Sequence, residues 1–143
     1  MKNQTGFTLI ELVVIIVILG ILSAVAVPKF IDMQVDARRA SIASLYGSVQ
    51  SGSVLTRAQV LVQGQTAATT IDIAGESIPL VNGYPSADGI VSVLDLQGFT
   101  ATPVGTTTTF TIEGYNGSNC QVEYTEAEPG DTPTIVMVNS GCD

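Results

Sequence analysis

One acid, one latent amine and two thiols carry the chemistry this chain can offer. Glu11 stands five residues into an apolar run from Phe7 to Val27, in which only Thr8, Glu11, Gly20 and Ser23 are not plainly apolar. A carboxylate inside an apolar span is costly and needs a partner. Cutting the chain after Gly6 would create one, because the new amine on Phe7 would be a cation close to Glu11, in the same chain or in a packed neighbour. The neighbour is the better partner: a long apolar helix that buries the pair gains packing and neutralisation from one association. Met1 to Gly6 is polar or small with a single charge, Lys2, and lies before the apolar run, whereas a secretory signal peptide is basic, then apolar, then cleaved.

Cys120 and Cys142 are the only cysteines, with 21 residues between them. A disulfide across that loop is worth about 3 kcal/mol in the chain-entropy model and requires an oxidising compartment. The other reading is two reduced thiols, since neither sits in a C-x-x-C or other metal spacing. The absence of histidine removes metal triads, histidine general bases and serine or cysteine protease dyads. Glu126 and Glu128 share a turn-rich loop with Pro129 and Gly130, without an enclosing apolar pocket in sequence, and are expected in solvent. No P-loop, Gly-x-Gly-x-x-Gly or EF-hand spacing is present. Asp88 and Asp131 could meet an ion, but no ligand-spaced carboxylates accompany them. Thr106 to Thr109 and Asn116-Gly117-Ser118 could accept sugars, although a strand and a turn explain them. Neither enzyme activity nor a metal or cofactor is expected.

These residues need elements to place them. The 21 residues from Phe7 to Val27 make a helix of about 31 Å, enough to span a bilayer. Pro28 removes a backbone donor and Gly20 weakens the helix eight residues earlier, so a kink or loosened stretch is expected between them. Beyond Pro28, Ile31, Val35, Ile42, Leu45 and Val49 fall on one helical face, expected to bind a head. Lys29, Asp32, Asp36, Arg38 and Arg39 lie mostly off that stripe, as contacts to other copies or as a solvated face. Small residues from Gly47 to Ser53 permit close approach of another element. Leu55, Ala58 and Val62 are then expected to resume the stripe, and Gly64 to cap the helix.

Strand patterning begins at Ile71 and Ile73, continues at Ile78 and Leu80, and returns at Thr107 to Ile112, Cys120 to Thr125 and Thr134 to Val138. Residues 81–89 read as a turn-rich loop, followed by a short helical face of Ile90, Val91 and Leu94 capped by Ser86 or Asp88. The fold class is α+β: a long N-terminal helix packed on a small antiparallel β-sheet head. The expected segments are a leader over 1–6, a transmembrane or filament-core helix over 7–27, its amphipathic continuation over 28–63, and a globular head over 64–143.

Net charge is −8, and it is unevenly spread. Nothing basic follows Arg57, whereas ten of the thirteen acids do. A polyanionic head repels phosphate backbones and anionic lipid, so no nucleic acid is expected as a partner.

The run Gly6-Phe7-Thr8-Leu9-Ile10-Glu11-Leu12, with Gly20-Ile21-Leu22 and Pro28 behind it, resembles the N-terminal signature of type IV pilins and the related pseudopilins. The resemblance implies a prepilin peptidase that cuts between Gly6 and Phe7 and methylates the amine of Phe7. It further implies assembly through Glu11 paired with a neighbour's amine, a segment from Gly20 to Pro28 that can melt on packing, and a homo-oligomeric helical filament. Leu80 to Pro85, Asp88-Gly89-Ile90 and the Cys120 and Gly141-Cys142 ends are similar to mannose-sensitive haemagglutinin type pilins, which favours a major surface subunit. The alternatives are a pseudopilin of a type II secretion system and a minor or tip pilin acting as a glycan-binding adhesin.

Three bases soon after the span, Lys29, Arg38 and Arg39, against Lys2 before it would by loop charge alone put the C-terminal side in the cytoplasm. The disulfide and the resemblance overrule that count. The expected location is the inner membrane as a single-pass precursor with its head in the periplasm, then an extracellular filament. The implied partners are the prepilin peptidase, the pilus assembly machinery of the inner membrane, and a host or environmental surface, with a glycan as one candidate ligand.

Overall fold

The computed structural model describes residues 6–143; of the expected leader, only Gly6 falls among them. The elements are α1 (Leu9–Val62), β1 (Thr70–Ile73), β2 (Glu76–Val81), β3 (Tyr84–Pro85), α2 (Gly89–Ser92), β4 (Phe99–Val104), β5 (Thr107–Ile112), β6 (Gln121–Thr125) and β7 (Thr134–Val138). The chain forms two compact units that divide between Asp36 and Ala37.

The first unit is the N-terminal part of α1. Leucine, isoleucine, valine and alanine surround the helix on every side, the mark of a helix whose partners are other helices or lipid. Its most apolar window has a mean hydropathy of 3.0, long and apolar enough to cross a membrane, and none of that window is buried. The backbone stays helical through Gly20 and Pro28, although Pro28 donates no hydrogen bond of its own, so the loosening expected there is not a break in the helix.

In the second unit, α1 from Ala37 onward packs against the head. Of the expected stripe, Ile31, in the first unit, is 56% exposed, whereas Ile42, Leu45 and Val49 are buried. Beyond them the face is not the one expected. Leu55 and Val62 stand in solvent at 69% and 83% exposure, and Gly52, Ser53, Thr56 and Val60 are buried instead. Steps of three or four from Val49 lead to those positions, whatever their polarity. The small residues admit a close neighbour: a Cβ at Gly52 would lie 3.1 Å from Leu94 Cδ2 and 3.2 Å from Val93 Cγ1. The buried Thr56 hydroxyl donates to the Gly52 carbonyl at 2.9 Å, so its polarity is satisfied within the helix.

Gly64 ends α1 as expected. At φ +66° it sends its N–H to Leu61 O at 3.2 Å, and Gln65 sends its own to Val60 O at 3.0 Å, a Schellman closure of the last turn.

The head holds two antiparallel sheets rather than one, in the orders β1-β2-β3 and β4-β5-β6-β7. Asn82 and Gly83, both at positive φ, form the two-residue turn that joins β2 to β3. That hairpin lies inside the stretch expected to be a loop. β4 lies outside the expected strands although Phe99 and Ala101 alternate with Thr100 and Thr102, because Pro103 and the exposed Val104 end that pattern after four residues. It is an edge strand, which tolerates Pro103 opposite Thr108.

Phe110, Val122 and Tyr124 from β5 and β6 meet Ile42, Leu45, Val49 and Ile90 in the main core. Val60, Ile71, Ile78 and Leu80 make a smaller core against the three-stranded sheet. At the start of α2 it is Ser86 that caps, its hydroxyl oxygen accepting from Gly89 N at 3.0 Å, while the Asp88 side chain makes no capping bond.

Candidate functional site

The acid singled out above sits in the first turn of α1. Glu11 Oε2 accepts from Thr8 N at 2.8 Å and from Thr8 Oγ1 at 2.7 Å, and Thr8 Oγ1 accepts from Glu11 N at 3.3 Å. This is a capping box: a threonine and an acid three residues apart satisfy each other's backbone donors at a helix start. The spacing Thr8-Leu9-Ile10-Glu11 was legible in sequence as a start signal, and the reading in terms of charge alone passed over it. Glu11 thus has a local role beside any role in assembly. Among the described residues its other oxygen, Oε1, has no hydrogen-bond partner.

Around it the surface is apolar. Phe7, Ile10, Val14 and Ile15 line a shallow recess with Glu11, and Phe7 is 82% exposed. The Gly6–Phe7 peptide bond precedes the first helical residue, and both its residues are exposed. Gly20 has nothing within 4 Å of where a Cβ would stand.

At the other end of the sequence, Cys120 and Cys142 form the disulfide, with their Cα atoms 4.8 Å apart. Several side chains hold that end to α1. Tyr115 donates its hydroxyl to Gly141 O at 2.6 Å and Asp143 O at 2.9 Å. Arg38 lies over the Tyr115 ring, 4.6 Å from its centre, and donates to Cys142 O at 3.2 Å. Arg39 pairs with Asp143 at 3.1 Å. Two of the five charges expected to face other copies or solvent therefore serve the chain's own head, while Lys29, Asp32 and Asp36 are exposed.

The loop acids also part company. Glu128 is exposed, but Glu126 is half-buried and accepts the Ala87 N–H at 2.7 Å, a correction to the expectation that both stand in solvent. The reason is the return of the chain after β6, which brings Glu126 under residues 85–87. Tyr124, fully buried, donates to Pro85 O at 2.6 Å in the same region. Burial pushes its hydroxyl's pKa well above the ordinary value; a hydrogen bond with Ser53 opposes this, and the charges of Glu126 and Tyr84 add to it. Asp88 and Asp131 join no cluster of acids, cysteines or histidines fit for a metal among the described residues.

Residues 1–27 match the family described as the prokaryotic N-terminal methylation motif. The chain is similar to a type IV narrow pilus major component of Thermus thermophilus, 42% identical over 74 residues, covering 46% of this chain and 64% of that protein. A fimbrial protein of Pseudomonas aeruginosa is 32% identical over 110 residues, covering 74% of this chain and 70% of the relative. A type IV major alpha-pilin of Moraxella bovis is 31% identical over 108 residues, covering 74% and 67%. No solved structure matches the chain significantly. The Pseudomonas and Moraxella alignments are too long to be contained in the N-terminal motif and extend into the head, and so the chain as a whole belongs to the type IV pilin family.

Proposed function

We propose that this chain is the major structural subunit of a type IV pilus and acts as a building block, not as an enzyme. The observation that carries the reading is the N-terminal part of α1: an apolar helix whose most apolar window is not buried among the described residues, with a single acid in its first turn. Prepilin peptidase cuts between Gly6 and Phe7 and methylates the Phe7 amine. The exposed, non-helical Gly6–Phe7 bond suits a peptidase that must draw an extended backbone into its cleft.

Before assembly the helix anchors the precursor in the inner membrane with its head in the periplasm, where the Cys120–Cys142 disulfide is stable. In the filament, the Phe7 amine of one copy meets Glu11 of another. Glu11 Oε2 is already engaged by Thr8, and Oε1 is the oxygen left for that cation. Gly20 and Pro28 mark the stretch that loosens as copies pack. Attachment to a host or environmental surface is then a property of the polymer. The resemblance of Leu80–Pro85 and Asp88–Ile90 to the mannose-sensitive haemagglutinin type agrees with a major subunit, as do the names of the Thermus and Moraxella relatives.

The test is the intact mass of protein sheared from the cell surface. An abundant species lacking Met1 to Gly6, carrying one added methyl and missing two hydrogens, is expected. An uncut chain confined to membranes would overturn the reading, and a processed but scarce species would make the chain a minor pilin or a secretion pseudopilin.

A further inference from the structure

Arg57 is the last base in the sequence, and ten acids follow it. Even so, it makes no ion pair among the described residues, where the one salt bridge joins Arg39 to Asp143. Its guanidinium lies over the Tyr84 ring, 5.0 Å from the centre, and Nη1 donates to Gly83 O at 3.4 Å. Those contacts fix the plane of the group and engage one of its five N–H donors. The planar fork that remains matches the paired oxygens of a carboxylate or a phosphate.

The rest of the recess narrows the ligand. Arg57 lines it with Thr66, Asn82, Tyr84, Asp131 and Thr132. Asn82 Nδ2 is held by Ala127 O at 2.7 Å, which leaves its Oδ1 to accept. Asp131 accepts as well, and its charge opposes a compact, multiply charged anion such as phosphate. A second recess adjoins the first, sharing Thr66 and Asn82 and adding Thr69, Val81 and Gly83. One cation beside several acceptors and hydroxyls suits a ligand with a single carboxylate and many hydroxyl donors, extended over two adjoining hollows. A carboxylate from another copy of this head would bring the repulsion of a polyanionic surface with it; a small ligand brings one charge.

We propose that this double recess binds a short acidic saccharide, the carboxylate of one sugar on Arg57 and the hydroxyls on Asp131, Asn82 and the threonines. The site belongs to the head and does not depend on whether the chain is a major or a minor subunit.

The experiment titrates the full chain, nitrogen-15 labelled in detergent micelles, with glucuronate and with N-acetylneuraminate, against glucose and inorganic phosphate. At least one sugar acid is expected to give saturable shifts in the Arg57 side-chain N–H and the Gly130 to Thr132 amides. Glucose is expected to bind at least about tenfold more weakly for want of the charge-assisted fork, and phosphate more weakly because Asp131 repels its second charge. Arg57→Gln should weaken sugar-acid binding by a similar factor. Because Arg57 also stacks on Tyr84, the exposed Asp131→Asn provides a second variant, expected to improve phosphate by a larger factor than the sugar acids, for which the relieved repulsion is offset by the loss of a charged acceptor for their hydroxyls. The proposal is overturned if neither sugar acid gives a saturable shift, if phosphate competes equally in the unaltered chain, or if binding survives Arg57→Gln unchanged.

Discussion

Replacing both Cys120 and Cys142 with alanine should cost the head about 3 kcal/mol. The two are 22 residues apart in sequence, and closing a loop of that length removes entropy from the unfolded chain worth about 3 kcal/mol at 25 °C. Both sulfurs lie in the main core beside Ile42, Phe110 and Val122, so their loss adds a small packing penalty in the same direction. Two donors also tie this segment down, the single Tyr115 O–H shared between Gly141 O and Asp143 O and the Arg38 guanidinium on Cys142 O, each worth about 1 kcal/mol net. They resist local fraying but do nothing to the unfolded chain, which is where the link acts. Urea unfolding of the full chain in mild detergent, followed by near-ultraviolet circular dichroism, reads the effect. The chain has no tryptophan, and its tyrosines, Tyr46, Tyr84, Tyr115 and Tyr124, all lie in the second unit, so the signal ignores the N-terminal part of α1. With a urea dependence of about 1–3 kcal/mol per molar, the midpoint should fall by about 1–3 M. A midpoint that moves by less than about 0.5 M would refute the argument, because the loop would then not constrain the unfolded chain.

Tyr124→Phe leaves the Pro85 carbonyl without its buried partner and should cost about 1–3 kcal/mol at neutral pH by the same unfolding measurement. Because the folded-state pKa of Tyr124 is raised, its contribution is complete below the unfolded value of about 10 and is lost as pH rises beyond it; alkaline destabilisation should therefore be shallower in Tyr124→Phe. Gly89→Ala would drive a Cβ into the Pro79 carbonyl oxygen, and a loss of about 1–3 kcal/mol in the unfolding midpoint is expected. Glu11→Val should still insert and be cut, yet reach sheared filaments far below the unaltered level on immunoblots; normal levels would remove the pairing argument.

The parts of the fold that sequence made legible are those where one periodicity acts alone. Ile42, Leu45 and Val49 announce a buried face because apolar side chains at helical spacing need a core to enter, and Gly64 announces a helix end because a left-handed residue closes the last turn. The reading failed from Gly52 to Val60, where the buried face is filled by Gly52, Ser53 and Thr56. There the constraint is the volume available beside Val93 and Leu94, which no hydropathy pattern records. The half-buried Glu126 escapes for a related reason, since its partner Ala87 lies 39 residues away, whereas β4 pairs with the adjacent β5 and is obscured by the Pro103 that cuts its alternation short. In the N-terminal part, charge and span were legible at once, while the capping box went unread because Thr8 looked like an incidental polar residue.

The capping box changes what Glu11 can be asked to do. An acid held only by a neighbour's amine would be without a partner in every unassembled copy, and the apolar span would carry that cost throughout its life in the membrane. Thr8 relieves part of it by giving Oε2 two donors from within the chain, and it leaves the carboxylate oriented by the helix start. With Oε2 satisfied in this way, the assembly proposed above would need only Oε1 for the incoming cation. On this argument Thr8→Val should resemble a weakened Glu11 variant, inserting and being processed but assembling less well, whereas Thr8→Ser, which keeps the hydroxyl, should assemble normally. Immunoblots of sheared filaments from the two strains separate the cases. Equal assembly of Thr8→Val and the unaltered chain would mean that the box serves the helix start alone.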